Sequence, residues 1–317
     1  MIKRATQILA FSFLILCLVS ATFAYFFIPD KTKHANNQIP ELALIDPMQK
    51  QCIDCERVVS KEENFVSKYF SGLNSTFKCV KAEERIENDV SCFYYFFGAD
   101  KFGRDVFSRL VLGIRYTLVI GLSAVLLSLM IGLVLGGLAG YFGGKTDQLI
   151  SIFINVFWSL PTILLAFAVI LSFGRSLFSI FIAISLTMWG DVARLVRGLV
   201  MKYKEYVYVQ AAKTLGYSKL KIIFQEIIPN LMGPVWVNAA GNFALAVLLE
   251  SGLSFLGFGL QPPTPTLGNI LQEQYVYAIS GKPMLALIPS IIVVLLILSF
   301  QVLTNYLRDR SDLRHTR

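Results

Sequence analysis

The chain has 317 residues, 55% of them hydrophobic and only 16% charged, with a mean hydropathy of +0.60. An ordinary soluble domain is roughly 45–50% apolar and about 25% charged; here the apolar excess gathers in long runs, which excludes a soluble globular protein and marks an integral membrane one. The net charge of +8 lies mostly beside those runs, so it belongs to membrane topology and lipid headgroups, and no recognition motif accompanies it that would call for nucleic acid.

Ile8 to Ile28 is uncharged and follows Lys3 and Arg4. A signal peptide would have an apolar core of about 7–15 residues and then a small-residue cleavage site. This run is longer and ends Tyr25-Phe26-Phe27-Ile28-Pro29, so it reads as an uncleaved first span with the basic N-terminus inside. Pro29 to Phe97 is polar, mixed in charge, and carries Cys52, Cys55, Cys79 and Cys92. Loops this long cross the membrane largely regardless of charge, so the segment reads as an extracytoplasmic insert. Cys17 lies in the first span and reads as a packing residue.

From Ala99 to Arg115, Val106, Phe107, Leu110, Val111 and Ile114 recur at helical spacing among Arg104, Arg109 and Arg115. The pattern predicts a short helix along the interface, with Asp105 capping its start. Tyr116 to Gly140 reads as the second span, and Gly132, Gly136 and Gly140 share one face of it, where they allow close approach of another helix. Tyr141 to Asp147 is a turn. Leu149 to Phe173 is the third span, with Asn155 and Ser159 inside it and Pro161 predicting a kink. The fourth span begins at Leu177 and runs into Trp189-Gly190-Asp191; Asp191 and Arg194 are spaced to pair on one face.

Arg194, Arg197, Lys202, Lys204, Lys213, Lys219 and Lys221 follow closely, against Glu205 as the one acid among them, which places the stretch in the cytoplasm. Leu231 to Leu256 is the fifth span and contains Asn238, Asn242 and Glu250. Gly257 to Lys282 is an outer loop containing Gln261-Pro262-Pro263-Thr264-Pro265. Met284 to Leu307 is the sixth span, and the tail bears Arg308, Arg310, Arg314 and Arg317. The predicted fold is all-α and integral to the membrane. It has six transmembrane helices, cytoplasmic ends, and a cysteine-containing extracytoplasmic insert between the first two spans.

Val207 to Asn230, between two apolar segments, is basic and carries no long apolar run. Ala211 and Ala212 precede Gly216, and an amphipathic run then ends in Ile227-Ile228-Pro229. Two short helices joined near Gly216 would present a small, smooth tip. Gly216 supplies the unusual backbone angle and Pro229 starts the turn back into the membrane.

Several motifs, in order, resemble the C-type permease subunit of dipeptide and oligopeptide ATP-binding-cassette importers from about Phe97 to Arg317. They are Gly98-Ala99-Asp100-Lys101-Phe102-Gly103-Arg104-Asp105 with Ser108-Arg109, and the turn Ala139 to Gly144. Then come Gln210-Ala211-Ala212 with Gly216 and Ile227-Ile228-Pro229, and Leu249-Glu250 followed by the run Leu253 to Pro265. Two positions depart from the family pattern: Ala99 replaces a threonine, and Gln210 replaces the glutamate of the docking motif. Gln210 hydrogen-bonds but carries no charge.

The resemblance implies a type I importer permease fold in the bacterial cytoplasmic (inner) membrane. It implies a second, B-type permease, two ATPase subunits and an extracytoplasmic substrate-binding protein as partners, a peptide substrate, and contact with membrane lipid. ATP and magnesium would be bound by the ATPases, since this chain has no G-x-x-x-x-G-K-[ST] phosphate loop; no cofactor, metal or catalytic residue is assigned to it. The ATPase-coupling loop, about residues 201–230, would act through Gln210, Ala211, Ala212, Gly216, Ile228 and Pro229. Candidates for the translocation path and gate are Asn155, Ser159, Asn242, Glu250 and Ser251; Glu250, an ionisable group in a span, is functional or paired by default. On this reading the chain comprises a first span (1–28), the insert (29–97) and the permease domain (98–317).

The insert lies outside the resemblance. Its four cysteines allow three disulfide connectivities. An oxidising compartment favours bridges, and a Cys52–Cys55 bridge would close a tiny loop, so long-range pairings are preferred. A metal or cluster held by all four is the competing arrangement. Nickel chelates are an alternative cargo. A self-sufficient secondary transporter and a sensor with a cysteine-rich outer domain are readings of a different class.

Overall fold

The computed structural model describes residues 2–59, 72, 75–79 and 90–315. The helices are α1 (Ile2–Thr22), α2 (Ala24–Phe27), α3 (Val106–Phe142), α4 (Gly144–Ser159), α5 (Thr162–Phe173), α6 (Leu177–Tyr203), α7 (Val207–Thr214), α8 (Lys219–Phe255), α9 (Leu267–Ile279) and α10 (Met284–His315). Strands β1 (Gln49–Val59), β2 (Ser75–Cys79) and β3 (Val90–Tyr95) form an antiparallel sheet in the order β2-β1-β3. The chain is mostly helical, as expected, and the insert, whose fold the sequence leaves open, adds this small sheet. Among the described residues, α1, α3, α6, α8 and α10 are long and apolar enough to cross a membrane, and α4 with α5 makes a sixth candidate if counted as one bent span.

That bent pair departs from the expected third span. The α4 and α5 axes differ by 95° across Leu160 and Pro161. Proline has no N–H to continue the helix, and its ring pushes the preceding residue out of the helical region. Leu160 accordingly lies at φ −90°, ψ 135°, and α5 restarts with the Pro161 carbonyl accepting from Leu164 N at 2.9 Å. The expected interfacial helix and second span are one helix, α3, which runs unbroken for 37 residues. Asp105 does cap it: its Oδ2 accepts from Ser108 N at 2.9 Å and from the Ser108 hydroxyl. Burial pushes the Asp105 carboxyl up to about 6, against the lowering effect of those hydrogen bonds.

The chain forms two compact units. One comprises Phe13–Val119 and Ser254–Leu295. Within it, Ala24, Tyr25, Ile28 and Ala35 pack with Val111 and Leu112 of α3. The Gly98–Asp105 motif wraps an ionic cluster that is almost wholly inaccessible. Asp100 Oδ2 lies 2.6 Å from Arg104 Nε, and Asp100 Oδ1 accepts from the backbone N–H of Phe102 and of Arg104. Glu273 Oε2, on α9, takes Arg104 Nη2 at 2.6 Å and Arg109 Nη2 at 3.2 Å. At Gly103, φ is +72° and a Cβ would fall 1.8 Å from the Ile39 carbonyl oxygen, so no side chain fits there. Arg104 and Arg109, expected along an interface, are buried ion-pair partners instead. The segment between α8 and α10 also holds a helix not anticipated, α9, whose N-cap Thr266 accepts from Asn269 N.

The other unit comprises Met1–Ser12, Ile120–Leu253 and Leu296–Arg317. Its centre is the contact of α3 with α6. A Cβ at Gly132 would lie 2.5 Å from Val192, at Gly136 2.4 Å from the Ala193 carbonyl oxygen, and at Gly140 2.6 Å from the Arg197 carbonyl oxygen. The glycine face is therefore a helix contact in which backbone meets backbone. Arg197 ties α6 to α4 through a two-point ion pair with Asp147, Nη2 to Oδ2 at 2.7 Å. Gly136→Val should lower stability by ~3 kcal/mol through overpacking, read as loss of the folded, detergent-soluble fraction on heating. Gly198→Ala, with nothing within 4 Å, is the matched control and should not lower it.

Candidate functional site

The polar loop between α6 and α8 folds as a hairpin. α7 ends in a glycine cap: Gly216 N donates to the Lys213 carbonyl at 3.0 Å and Tyr217 N to the Ala212 carbonyl at 3.1 Å, with Gly216 at φ +81°. This pair of bonds is the Schellman arrangement, which satisfies carbonyls left open at a helix end and needs a left-handed residue at that position. Ser218 then caps α8, its hydroxyl accepting from Lys221 N.

The loop has two faces. Val209, Ala212, Ile222, Ile223 and Ile227 are buried. Val207, Leu215 and Leu220 stand out at 85%, 74% and 54% exposure. These apolar side chains on an otherwise polar loop are free to contact another surface. Ala211 is exposed and Ala212 buried, so the small pair serves both faces. Lys213, Lys219 and Lys221 lie over the rings of Tyr141, Phe142 and Tyr217, with Lys221 Nζ 3.8 Å from the Tyr217 centroid. The aromatic pair of the Ala139–Gly144 turn thus sits under the lysines of the hairpin.

The hairpin's base is tied to long helices. Tyr203 donates its hydroxyl to the Asn230 carbonyl at 3.4 Å, and Lys204 Nζ donates to the Gly140 carbonyl at 3.4 Å. A Cβ at Gly137 would touch Ile223 at 3.3 Å and Ile228 at 3.7 Å, so α8 lies close against α3 there. Gln210 is exposed and turned into its own loop: Nε2 donates to the Lys204 carbonyl at 3.0 Å, and Oε1 accepts from Lys213 Nζ at 3.4 Å.

Pro229 does not turn the chain. α8 runs through it, and Ile222–Ile227 widens into a π-helical turn in which Ile228 N reaches the Ile223 carbonyl. An α-helical course would set the proline ring against the carbonyl four residues earlier. A wider turn relieves that clash, and Asn230 Nδ2 satisfies the Glu226 carbonyl at 2.6 Å. Nothing in periodicity announces this widening.

The five candidate path residues fall on two elements. Asn155 and Ser159 are exposed on α4, where Asn155 Oδ1 accepts from Arg194 Nη2 at 3.1 Å and Ser159 bonds back to the Val156 carbonyl. Asn242, Glu250 and Ser251 are buried on α8; Asn242 Nδ2 donates to Asn238 Oδ1 at 3.2 Å. Helical spacing sets Asn242 and Ser251 on opposite sides of α8, so they do not share one lining face. The expected Asp191–Arg194 pair does not form. Asp191 Oδ1 accepts from Trp158 Nε1 at 2.6 Å, and the Arg194 guanidinium stacks 3.7 Å over the Trp158 ring. Trp158 and Glu273 are the partners that sequence spacing did not reveal, because each comes from a different element.

These helices define a class: a polytopic helical membrane protein. A family model described as "Binding-protein-dependent transport system inner membrane component" matches residues 132–312, and the chain belongs to that family. It is 36% identical over 218 residues to the "Dipeptide transport system permease protein DppC" of Bacillus subtilis (strain 168), covering 69% of this chain and 68% of that one. The protein of the same name from Alkalihalophilus pseudofirmus is 38% identical over 218 residues, covering 69% and 71%. The "Oligopeptide transport system permease protein OppC" of Bacillus subtilis is 33% identical over 218 residues, covering 69% and 71%. Family membership replaces the secondary-transporter and sensor readings.

Proposed function

We propose that this chain is the membrane permease subunit of an ATP-driven importer of dipeptides or oligopeptides. It forms the translocation path with a second permease, receives substrate from an extracytoplasmic binding protein, and is moved by two ATPase subunits. The observation that carries the reading is the hairpin at 201–230: a glycine-capped, apolar tip, rigidly based on α3, α6 and α8, in a chain of a transport family. A tip seated in a cleft of an ATPase would pass nucleotide-driven motion to those helices as a two-state rearrangement. Peptide cargo is supported by the similarity to dipeptide and oligopeptide permease proteins.

In this scheme residues 1–28 are the first span, 29–97 an outer insert, and 98–317 the permease domain, with both ends in the cytoplasm of a bacterium. Gln210, Ala211, Ala212, Gly216, Ile228 and Pro229 form the coupling element. Asn155 and Ser159, exposed on α4, suit the path; the complete burial of Glu250 suits a structural contact.

The decisive experiment is purification and reconstitution. Co-isolation with a second permease and two ATPase chains, and peptide uptake that needs nucleotide, is expected; uptake by this chain alone without nucleotide would refute the reading. A second test concerns charge. Gln210→Glu restores an acid at the tip but removes the donor to the Lys204 carbonyl. If the ATPase presents a cation there, association should tighten by about 1 kcal/mol, roughly fivefold, measured by titrating labelled ATPase onto the reconstituted permease. Weakened association would place the Lys204 contact above the restored charge.

A further inference from the structure

The four insert cysteines occupy particular positions in the sheet. β1 is the central strand, and its pairing with each neighbour is continuous. Along β2, Cys55 stands opposite Cys79, followed by Glu56 opposite Lys78 and Arg57 opposite Phe77. Along β3, Cys52 stands opposite Cys92, flanked by Gln51 opposite Phe93 and Ile53 opposite Ser91. Every cysteine of the insert is therefore directly across an antiparallel ladder from another one. We propose that the insert carries two cross-strand disulfides, Cys52–Cys92 and Cys55–Cys79, one on each face of the sheet.

Strand geometry selects this connectivity from the three available. Residues of an antiparallel pair that face each other directly have Cα atoms about 4.5–5.5 Å apart, inside the 4.4–6.8 Å range of disulfides. Successive residues of a strand alternate between faces. Cys52 and Cys55 stand an odd number of positions apart on β1, so they belong to opposite faces, each with its own partner. A Cys52–Cys55 bridge, the crossed pair Cys52–Cys79 with Cys55–Cys92, and a single site drawing on all four thiolates would each have to join the two faces through the sheet. The first bridge ties β1 to β3 and the second ties β1 to β2, so each edge strand is fastened to the centre. Such cross-links remove conformations from the unfolded chain and so stabilise the sheet.

Formation needs an oxidising compartment, so the proposal rests on the outer location given to residues 29–97. Each bridge forms when one cysteine thiolate attacks the disulfide of a thiol oxidoreductase, giving a mixed disulfide, and its partner thiolate then attacks the first cysteine's sulfur and expels the oxidoreductase thiolate. The two thiols lose two protons and two electrons, and the oxidoreductase disulfide leaves as a dithiol.

The test uses the full-length protein in cell membranes. Free thiols are blocked under denaturing, non-reducing conditions, and the chain is cut before Asp54, which separates Cys52 from Cys55, and after Lys81 and Arg85, which separates Cys79 from Cys92. Mass mapping should find the Cys52 peptide joined to the Cys92 peptide and the Cys55 peptide joined to the Cys79 peptide, with Cys17 as the blocked thiol. Cys92→Ala should add one blocked thiol, at Cys52, and Cys79→Ala one, at Cys55. Any other pairing overturns the proposal, as do four blocked thiols. A membrane-impermeant maleimide on intact, reduced spheroplasts separates the two causes. Labelling from outside leaves the topology standing and refutes the bridges alone; labelling that requires a permeabilised membrane refutes the outer location as well.

Discussion

Gly216→Pro should leave the protein in the membrane and abolish its association with the ATPase subunits. Gly216 sits at φ +81° and donates its N–H to the Lys213 carbonyl. Proline is held near φ −65° and has no N–H, so neither feature survives, and it also disfavours the helical conformation of the residue before it. Leu215, at φ −71° and ψ −3°, is that residue. The expected local penalty is about 3 kcal/mol or more, enough to unravel a tip whose helix is only 8 residues long. Gly216→Ala is the graded control: its Cβ would meet nothing within 4 Å, so its cost is the left-handed backbone alone, about 1–2 kcal/mol. Alanine should weaken association and proline remove it, measured by co-purification and by permease-stimulated ATP hydrolysis. Normal association of the proline variant would end the coupling assignment.

Asp100→Ala should destabilise the unit that contains the Gly98–Asp105 motif by about 3–5 kcal/mol, the usual loss when one member of a buried ion pair is removed. Asp100 is wholly buried and holds Arg104 through two contacts, one side chain to side chain and one to the backbone N–H. Its loss leaves Arg104 and Arg109 sharing Glu273 and opens the turn by freeing Phe102 N–H. At about 2–4 °C per kcal/mol for a unit of this size, the melting temperature should fall by roughly 10 °C, followed by thermal unfolding of the solubilised protein. Asp100→Asn retains an acceptor at Oδ1 without the charge and should fall between. An unchanged melting temperature for the alanine variant would show that the cluster contributes no net stability.

How far a pattern carries depends on whether its cause is local. Apolar runs located the spans, because insertion depends on the summed transfer energy of consecutive residues. Gly132, Gly136 and Gly140 announced a helix contact through their spacing, and Asp105 announced a cap. Pro161 announced a disturbance, yet a kink and a 95° break have the same sequence sign; the difference lies in what each half packs against. Arg104 and Arg109 read as interfacial because charge near a span usually is. Their burial depends on Glu273, 169 positions further along from Arg104, on a helix that the proline-rich loop concealed. In the hairpin, Gly216 and the alanine pair are legible and the course of the chain at Pro229 is not: a proline reads as a helix stop, yet the helix runs through it behind a π-helical turn.

Local chemistry, then, specified the membrane class, the family motifs, the polar hairpin and its glycine corner, since hydropathy, spacing and backbone preference act within a few residues of each position. Long-range pairing settled which face of α3 meets α6, which distant acid joins Asp100 on Arg104, and which cysteines stand opposite one another. Those outcomes arise from contacts between segments far apart in the chain, where partner and register are chosen by the packing of the whole unit.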